Sequence, residues 1–123
     1  MFRHFEREAI RALVGEALGR DVLERVLSAN EIEEYWSGAG YFLTVADPGL
    51  PSERAVFDAP LTIGASPSVR VGFVVFVEDS QLTLECHGWG DSDEFPSKFR
   101  DSKVALSVDG RPVLPQDIVR HEK

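Results

Sequence analysis

Between Val69 and Trp89 the chain reads VRVGFVVFVEDSQLTLECHGW, two apolar-rich runs separated by Glu78, Asp79, Ser80 and Gln81. The pattern predicts a β-hairpin. A two-residue loop at Asp79–Ser80 and a four-residue loop from Glu78 to Gln81 give the same register. In that register Val77 faces Leu82, Val75 faces Leu84, Phe73 faces Cys86 and Val71 faces Gly88. Side chains alternate across a strand, so these residues share one apolar face that must be core. The other face carries Arg70, Gly72, Val74, Phe76 and Glu78 against Trp89, His87, Glu85, Thr83 and Gln81, a mixture of aromatic and charged groups.

Upstream, Phe2, Phe5, Ala9, Leu13 and Ala17 recur at helical spacing, widened by Ile10 and Val14. This predicts a helix over 3–18, with Glu and Arg on the opposite side and Gly19 as its stop. Asp21 and Glu24 have the spacing of a capping box. They open a second short helix carrying Val22, Leu23, Val26 and Leu27, ending near 28–30. Residues 31–36, EIEEYW, fit either a strand or a helical turn capped by Asn30. The strand is the preferred reading, broken at Ser37-Gly38-Ala39-Gly40 and resuming over 41–46. Asp47-Pro48-Gly49 marks a turn. A strand within 55–63 is edged by Pro60, and 64–68 reads as a loop. Beyond the hairpin, 90–102 is a polar loop with Phe95 and Phe99 as anchors. Val104, Leu106 and Val108 alternate as a strand. Asp109-Gly110 is a hairpin turn, and Val113 and Leu114 return along an edge limited by Pro112 and Pro115. The tail from Gln116 is expected to dock lightly at most.

Two helices followed by a run of strands read as an α+β protein. The expected architecture is an N-terminal helix, or two, on one face of a mostly antiparallel, curved sheet of about five strands. With 123 residues and no linker or repeat, the expectation is a single domain over 1–123. No run of about 18 apolar residues suggests a membrane span, and the charged N-terminal stretch is unlike a secretory signal. A single cysteine excludes an internal disulfide. The expected compartment is the cytoplasm.

The chain carries 13 Lys and Arg against 21 Asp and Glu, a formal charge of −8. No basic cluster is present to neutralise phosphates, which argues against nucleic acid and anionic membranes as partners. The acidity fits a basic protein partner and also serves solubility.

Few residues form a chemical motif. Cys86 and His87 are adjacent, but neighbours on a strand point to opposite faces and do not make a thiol–imidazole dyad. The histidines His4, His87 and His121 have no metal-ligand spacing, and Asp91, Asp93 and Glu94 lack the pattern of a calcium-binding loop. Gly38, Gly40 and Gly64 do not make a phosphate loop, and Ser66 lacks a nucleophile-elbow context. No catalytic residue, metal ligand or cofactor is assigned.

The candidate surface is therefore the mixed hairpin face: Arg70, Phe76, Glu85, His87 and Trp89. Arg70 lies opposite Trp89, within reach of stacking on its indole. Aromatics and Arg rimmed by charge have the composition of a protein-binding hot spot. A covering loop or helix, and a concave pocket holding a small ligand, are the competing structural outcomes. In the pocket case His87 acts as acid or base, tuned by Glu85. The segments GFVVFVEDSQLTLECHGWGD and FPSKFRDSKVAL resemble parts of small uncharacterised bacterial α+β proteins, and the size and acidity resemble those of immunity proteins that neutralise bacterial toxins. That resemblance implies a non-enzymatic binding protein whose carboxylates, among them Glu78, Glu85, Asp91, Asp93 and Glu94, cap a basic cleft on the toxin. It carries no functional residue across.

Overall fold

A computed structural model of the chain describes residues 1–67, 69–89 and 95–113. Asp91, Asp93, Glu94, Leu114 and the tail lie outside them. Among the described residues the order is α1 (His4–Val14), α2 (Arg20–Leu27), β1 (Glu33–Trp36), β2 (Gly40–Ala46), β3 (Ala55–Phe57), β4 (Thr62–Ala65), β5 (Arg70–Glu78), β6 (Gln81–Trp89), a 3-10 turn (Phe99–Asp101), β7 (Ala105–Val108) and β8 (Arg111–Pro112). This is an α+β arrangement with one antiparallel sheet of eight strands, ordered β1-β2-β6-β5-β4-β7-β8, with β3 also pairing β5. The sheet has more strands than the expected five because segments 31–46 and 55–63 each divide into two. None of the described helices is long and apolar enough to cross a membrane.

The β5–β6 hairpin has the expected register, from Arg70 opposite Trp89 to Glu78 opposite Gln81. Its loop is the two-residue alternative. Asp79 and Ser80 sit at φ 52° and 59°, the pair of left-handed conformations that matches the twist of a tight hairpin. Neither is glycine, so the conformation needs support. The Asp79 and Ser80 amides donate to the Ser52 and Pro51 carbonyls at 3.0 Å, and Ser80 accepts from the Asp47 amide at 3.0 Å.

Segment 31–46 is not one broken strand. It turns back on itself, with Glu33 opposite Thr44 and Trp36 opposite Tyr41. Gly38 at φ 88° lets the chain reverse at the tip. Segment 55–63 likewise divides. β3 pairs with Val75–Val77 and β4 with Arg70–Gly72, so both lie along the same side of β5. Gly64, expected in a loop, is a buried strand residue opposite Leu106. A Cβ there would meet Val104, Phe73 and Val71 side chains at 2.8–3.1 Å, so its glycine serves close packing rather than a turn. The Asp109-Gly110 turn forms as read, with φ 49° and 81°.

The first helix is shorter than its periodicity implied. It ends at Val14 with Gly15 as cap, Ala17 is exposed between the helices, and Gly19 is the N-cap of α2. The Asp21–Glu24 capping box therefore does not form; α2 starts two residues earlier and no side chain caps it. Helix α1 places Phe5, Ala9, Ile10, Leu13 and Val14 in the core, where the Phe5 and Phe73 ring centroids lie 6.1 Å apart.

One charge breaks the amphipathic scheme of α1. Glu6 is fully buried. Its carboxylate accepts from Arg100 Nε at 2.7 Å and Nη2 at 2.8 Å, from the Tyr41 hydroxyl at 2.6 Å and from the Arg3 amide at 2.6 Å. Arg100 also donates to the Met1 carbonyl at 2.9 Å and approaches Glu34 at 3.4 Å. Burial pushes the Tyr41 phenol far up. Burial also pulls against the Arg100 cation, and its hydrogen bonds to Glu6 more than offset this, so its pKa rises. The cluster joins the start of α1, β2 and the 3-10 turn through residues far apart in sequence.

Breaking a buried pair from one side is far costlier than removing both charges, because the remaining ion is left without compensation. We predict that Arg100→Leu lowers unfolding stability by about 3–5 kcal/mol and that adding Glu6→Leu recovers most of the loss. Urea denaturation of the two variants checks this; equal losses in single and double variants would show that packing, not charge, holds this corner.

Candidate functional site: the helix-free face of the sheet

Strand alternation assigns every central residue to a face. The inner row Val71, Phe73, Val75, Val77, Leu82, Leu84 and Cys86 is buried. The outer positions of β5 and β6 are half-buried from Val74 and Phe76 to Thr83, Glu85 and His87, and exposed at Arg70 and Trp89. Helix α1 contacts β4, β5 and β7 from the inner side, and no described helix lies on the outer side. The proposed residues Arg70, Phe76, Glu85, His87 and Trp89 therefore share one surface, spread along its length rather than gathered at a point.

The surface extends beyond the hairpin. Phe42 of β2 lies directly opposite Glu85, with Tyr35 of β1 opposite Phe42. The Tyr35 and Phe42 ring centroids are 6.1 Å apart. Val56 of β3 lies opposite Phe76. Tyr35, Val56 and Trp89 are 65%, 47% and 39% exposed, and the register puts all of them on this face. These additional residues were invisible to hairpin reasoning because their place depends on which strands flank β5 and β6. The alternation of Glu33, Tyr35 and their neighbours carried the local half of that information.

At the Trp89 end, two rings close over a glycine. The Trp89 indole N–H donates to His87 Nε2 at 3.4 Å. A Cβ on Gly72 would meet Trp89 Nε1 at 2.8 Å and His87 Nε2 at 2.9 Å. The notch left by Gly72 is thus filled by the chain's own side chains. With Nε2 accepting, a neutral imidazole carries its proton on Nδ1, and that atom is buried without a hydrogen-bond partner among the described residues. The geometry also redirects Trp89 from Arg70. The cation–ring contacts among the described residues are Arg54 over Phe76 at 5.8 Å and Arg100 over Tyr41 at 5.9 Å. Arg54 reaches Phe76 from the β3 side while lying 3.6 Å from Glu78.

Cys86 lies on the opposite face from His87, fully buried in the inner row. Burial pushes its thiol well above the usual range. It is packing material, not half of a dyad. Farther along the outer face, a cleft of ≈ 460 Å³ opens between Asn30, Glu31, Glu33, Thr44 and Gln81. Glu33, Thr44 and Gln81 belong to the outer rows, so the cleft continues the same surface toward β1 and is lined by none of the five proposed residues.

No family model, curated protein or solved structure matches the chain. The reading of this face therefore rests on its own chemistry.

Two outcomes test the geometry. Gly72→Ala must displace the Trp89–His87 pair; we expect a large shift of the Trp89 indole resonance with the core amides unmoved. Cys86 gives a pH signature. Its native pKa is raised, so above the unfolded value of about 8.5 the unfolded chain releases the thiol proton first and binds fewer protons than the native state. Stability is then fully present below that pH and falls as pH rises, with a limiting slope of about 1.4 kcal/mol per pH unit. Cys86→Ala should remove this slope in alkaline denaturation series, and native Cys86 should resist alkylation until the protein is unfolded.

Proposed function

We propose that this protein is a non-enzymatic binding protein that docks a basic protein partner on the helix-free sheet face, in the manner of an immunity protein neutralising a basic bacterial toxin. The observation that carries the reading is the exposure of Tyr35, Val56 and Trp89 on that face. Their neighbours Phe42, Val74 and Phe76 are half-buried. A sheet that already buries one face in its own core has no structural need for aromatic anchors on the other, and apolar groups gathered on one surface mark interaction sites.

Charge supplies the nature of the partner. The chain carries a formal charge of −8, and Glu33, Glu78 and Glu85 belong to the outer rows. A basic surface would be drawn to it at long range, and like-charged surfaces repelled. The alternative of a pocket around Glu85, His87 and Trp89 is less well supported, because the notch at Gly72 is closed by the His87 and Trp89 rings.

Affinity capture from the native host tests the proposal, run with folded wild-type, Trp89→Ala and Glu85→Lys proteins. The expected result is a basic protein retained by the wild type, lost with Trp89→Ala and weakened as salt rises. Retention of every specific partner by both variants would show that this face is not the interface. Copurification of a small metabolite in place of a protein would support the pocket instead.

A further inference from the structure

Glu85 occupies an unusual position on the outer face. It is half-buried, with Phe42 directly opposite on β2 and Val74 directly opposite on β5. Along its own strand its same-face neighbours are Thr83 and His87. Neither bonds to it: the Thr83 hydroxyl shares a hydrogen bond with Thr44 at 2.9 Å, and His87 meets Trp89 through Nε2 while its buried Nδ1 makes no hydrogen bond among the described residues. Glu78, the other carboxylate on this hairpin face, has Arg54 at 3.6 Å. Glu85 has neither an ion pair nor a hydrogen bond with any described residue. A half-buried carboxylate flanked by Phe42 and Val74, with no partner, depends on water for its solvation and loses it when a partner covers the face.

Resting on the binding reading above, we infer that Glu85 is the receptor for an arginine side chain of the protein partner, with Phe42 and Tyr35 forming the aromatic wall beside it. The chemistry selects the guanidinium. It is planar, meets a carboxylate with parallel hydrogen bonds, and stacks on aromatic faces. The adjoining Phe42 and Tyr35 rings, 6.1 Å apart, offer such faces on the β2 side. An ammonium group meets the carboxylate as a point charge and uses the rings less well. A metal ion is not what the site is built for: the described residues contain no group of three or more His, Cys, Asp or Glu able to hold one. Glu85 is then a central anchor rather than a rim charge. Its loss should speed dissociation, where the loss of a rim carboxylate such as Glu78 slows association.

The test uses small probes that need no knowledge of the partner. The isotopically labelled protein is titrated with N-acetyl-arginine methylamide, with its lysine counterpart, and with the neutral citrulline isostere. Saturable arginine-selective amide shifts at Phe42, Val74, Thr83 and Glu85, weaker with lysine and absent with citrulline, are expected. Glu85→Gln should abolish them and Glu78→Gln should leave them intact. Shifts that persist in Glu85→Gln, an equal response to lysine, or no saturable response on this row would each overturn the inference. The binding reading fails separately. If arginine binds at Glu85 but no protein partner is lost with Trp89→Ala, the anchor stands and the interface does not. If the partner is captured and Glu85→Gln lowers its affinity less than about threefold, the interface stands and the anchor does not.

Discussion

The constraint on which this structure depends is the pairing of β5 with β6 over nine residues each. Side chains on a strand have a period of two, so a slip of one residue would turn the core row of one strand to the opposite face. The inner row leaves no room for that slip. A slip of β5 would send Val71, Phe73 and Val75 to solvent and Arg70 and Glu78 into the core; a slip of β6 would do the same with Leu82 and Leu84 against Glu85 and His87. Each buried aliphatic contributes about 1.5–3 kcal/mol by leaving water, so the register is held by many times thermal energy. All remaining strands are placed relative to this pair. β2 adds to β6, β3 and β4 divide one side of β5, and β1, β7 and β8 extend the edges. The arrangement of groups on the outer face follows from the same register.

The central pair was legible in the sequence because its information is local. A period of two, a polar break and an apolar row suffice to specify the hairpin, and they assign Cys86 and His87 to opposite faces. The Asp109-Gly110 turn and the anchoring of Phe95 and Phe99 were legible for the same reason. What could not be read is long-range. Nothing within EIEEYW says that its partner is Tyr41–Thr44, so a reversal looked like a break. Gly64 looked like a loop residue because the side chains that crowd it, Phe73, Val71 and Val104, come from other elements. In the candidate surface, Glu85, His87, Phe76 and Trp89 were placed by register, whereas Tyr35, Phe42 and Val56 required the strand order. The Arg70–Trp89 stack was a plausible cross-strand pair, but the gap above Gly72 turned the indole toward His87 instead.

Glu6 illustrates another limit. On a helical wheel it falls within the apolar stripe of Phe2, Ile10 and Leu13, but nothing local says what would satisfy a carboxylate there. Its burial depends on Arg100 and Tyr41, which lie 94 and 35 residues away. Such a cluster contributes little net stability compared with apolar residues of the same shape. Its value lies in direction: an apolar contact tolerates sliding, whereas a carboxylate accepting from a guanidinium, a phenol and an amide fixes how α1 and the Phe99–Asp101 turn meet β2. The helix layer is thereby held on the inner side of the sheet.

Two carboxylates of this protein are therefore withdrawn from water under opposite conditions. Glu6 is fully buried and every nearby donor is directed at it. Glu85 is half-buried, lies between Phe42 and Val74, and has no donor among the described residues. The first needs nothing further, since its compensation is internal. The second retains its solvation only as long as its face remains open to water. A surface that closes over that face without a cation or hydrogen-bond donors for Glu85 leaves a carboxylate uncompensated, at a cost of several kcal/mol. On the proposed binding reading, that penalty disfavours apolar and acidic surfaces at Tyr35, Val56 and Trp89. On the same reading, a lone carboxylate beside apolar anchors would serve two demands on an exposed sheet face: to bind one class of partner, and to resist the others.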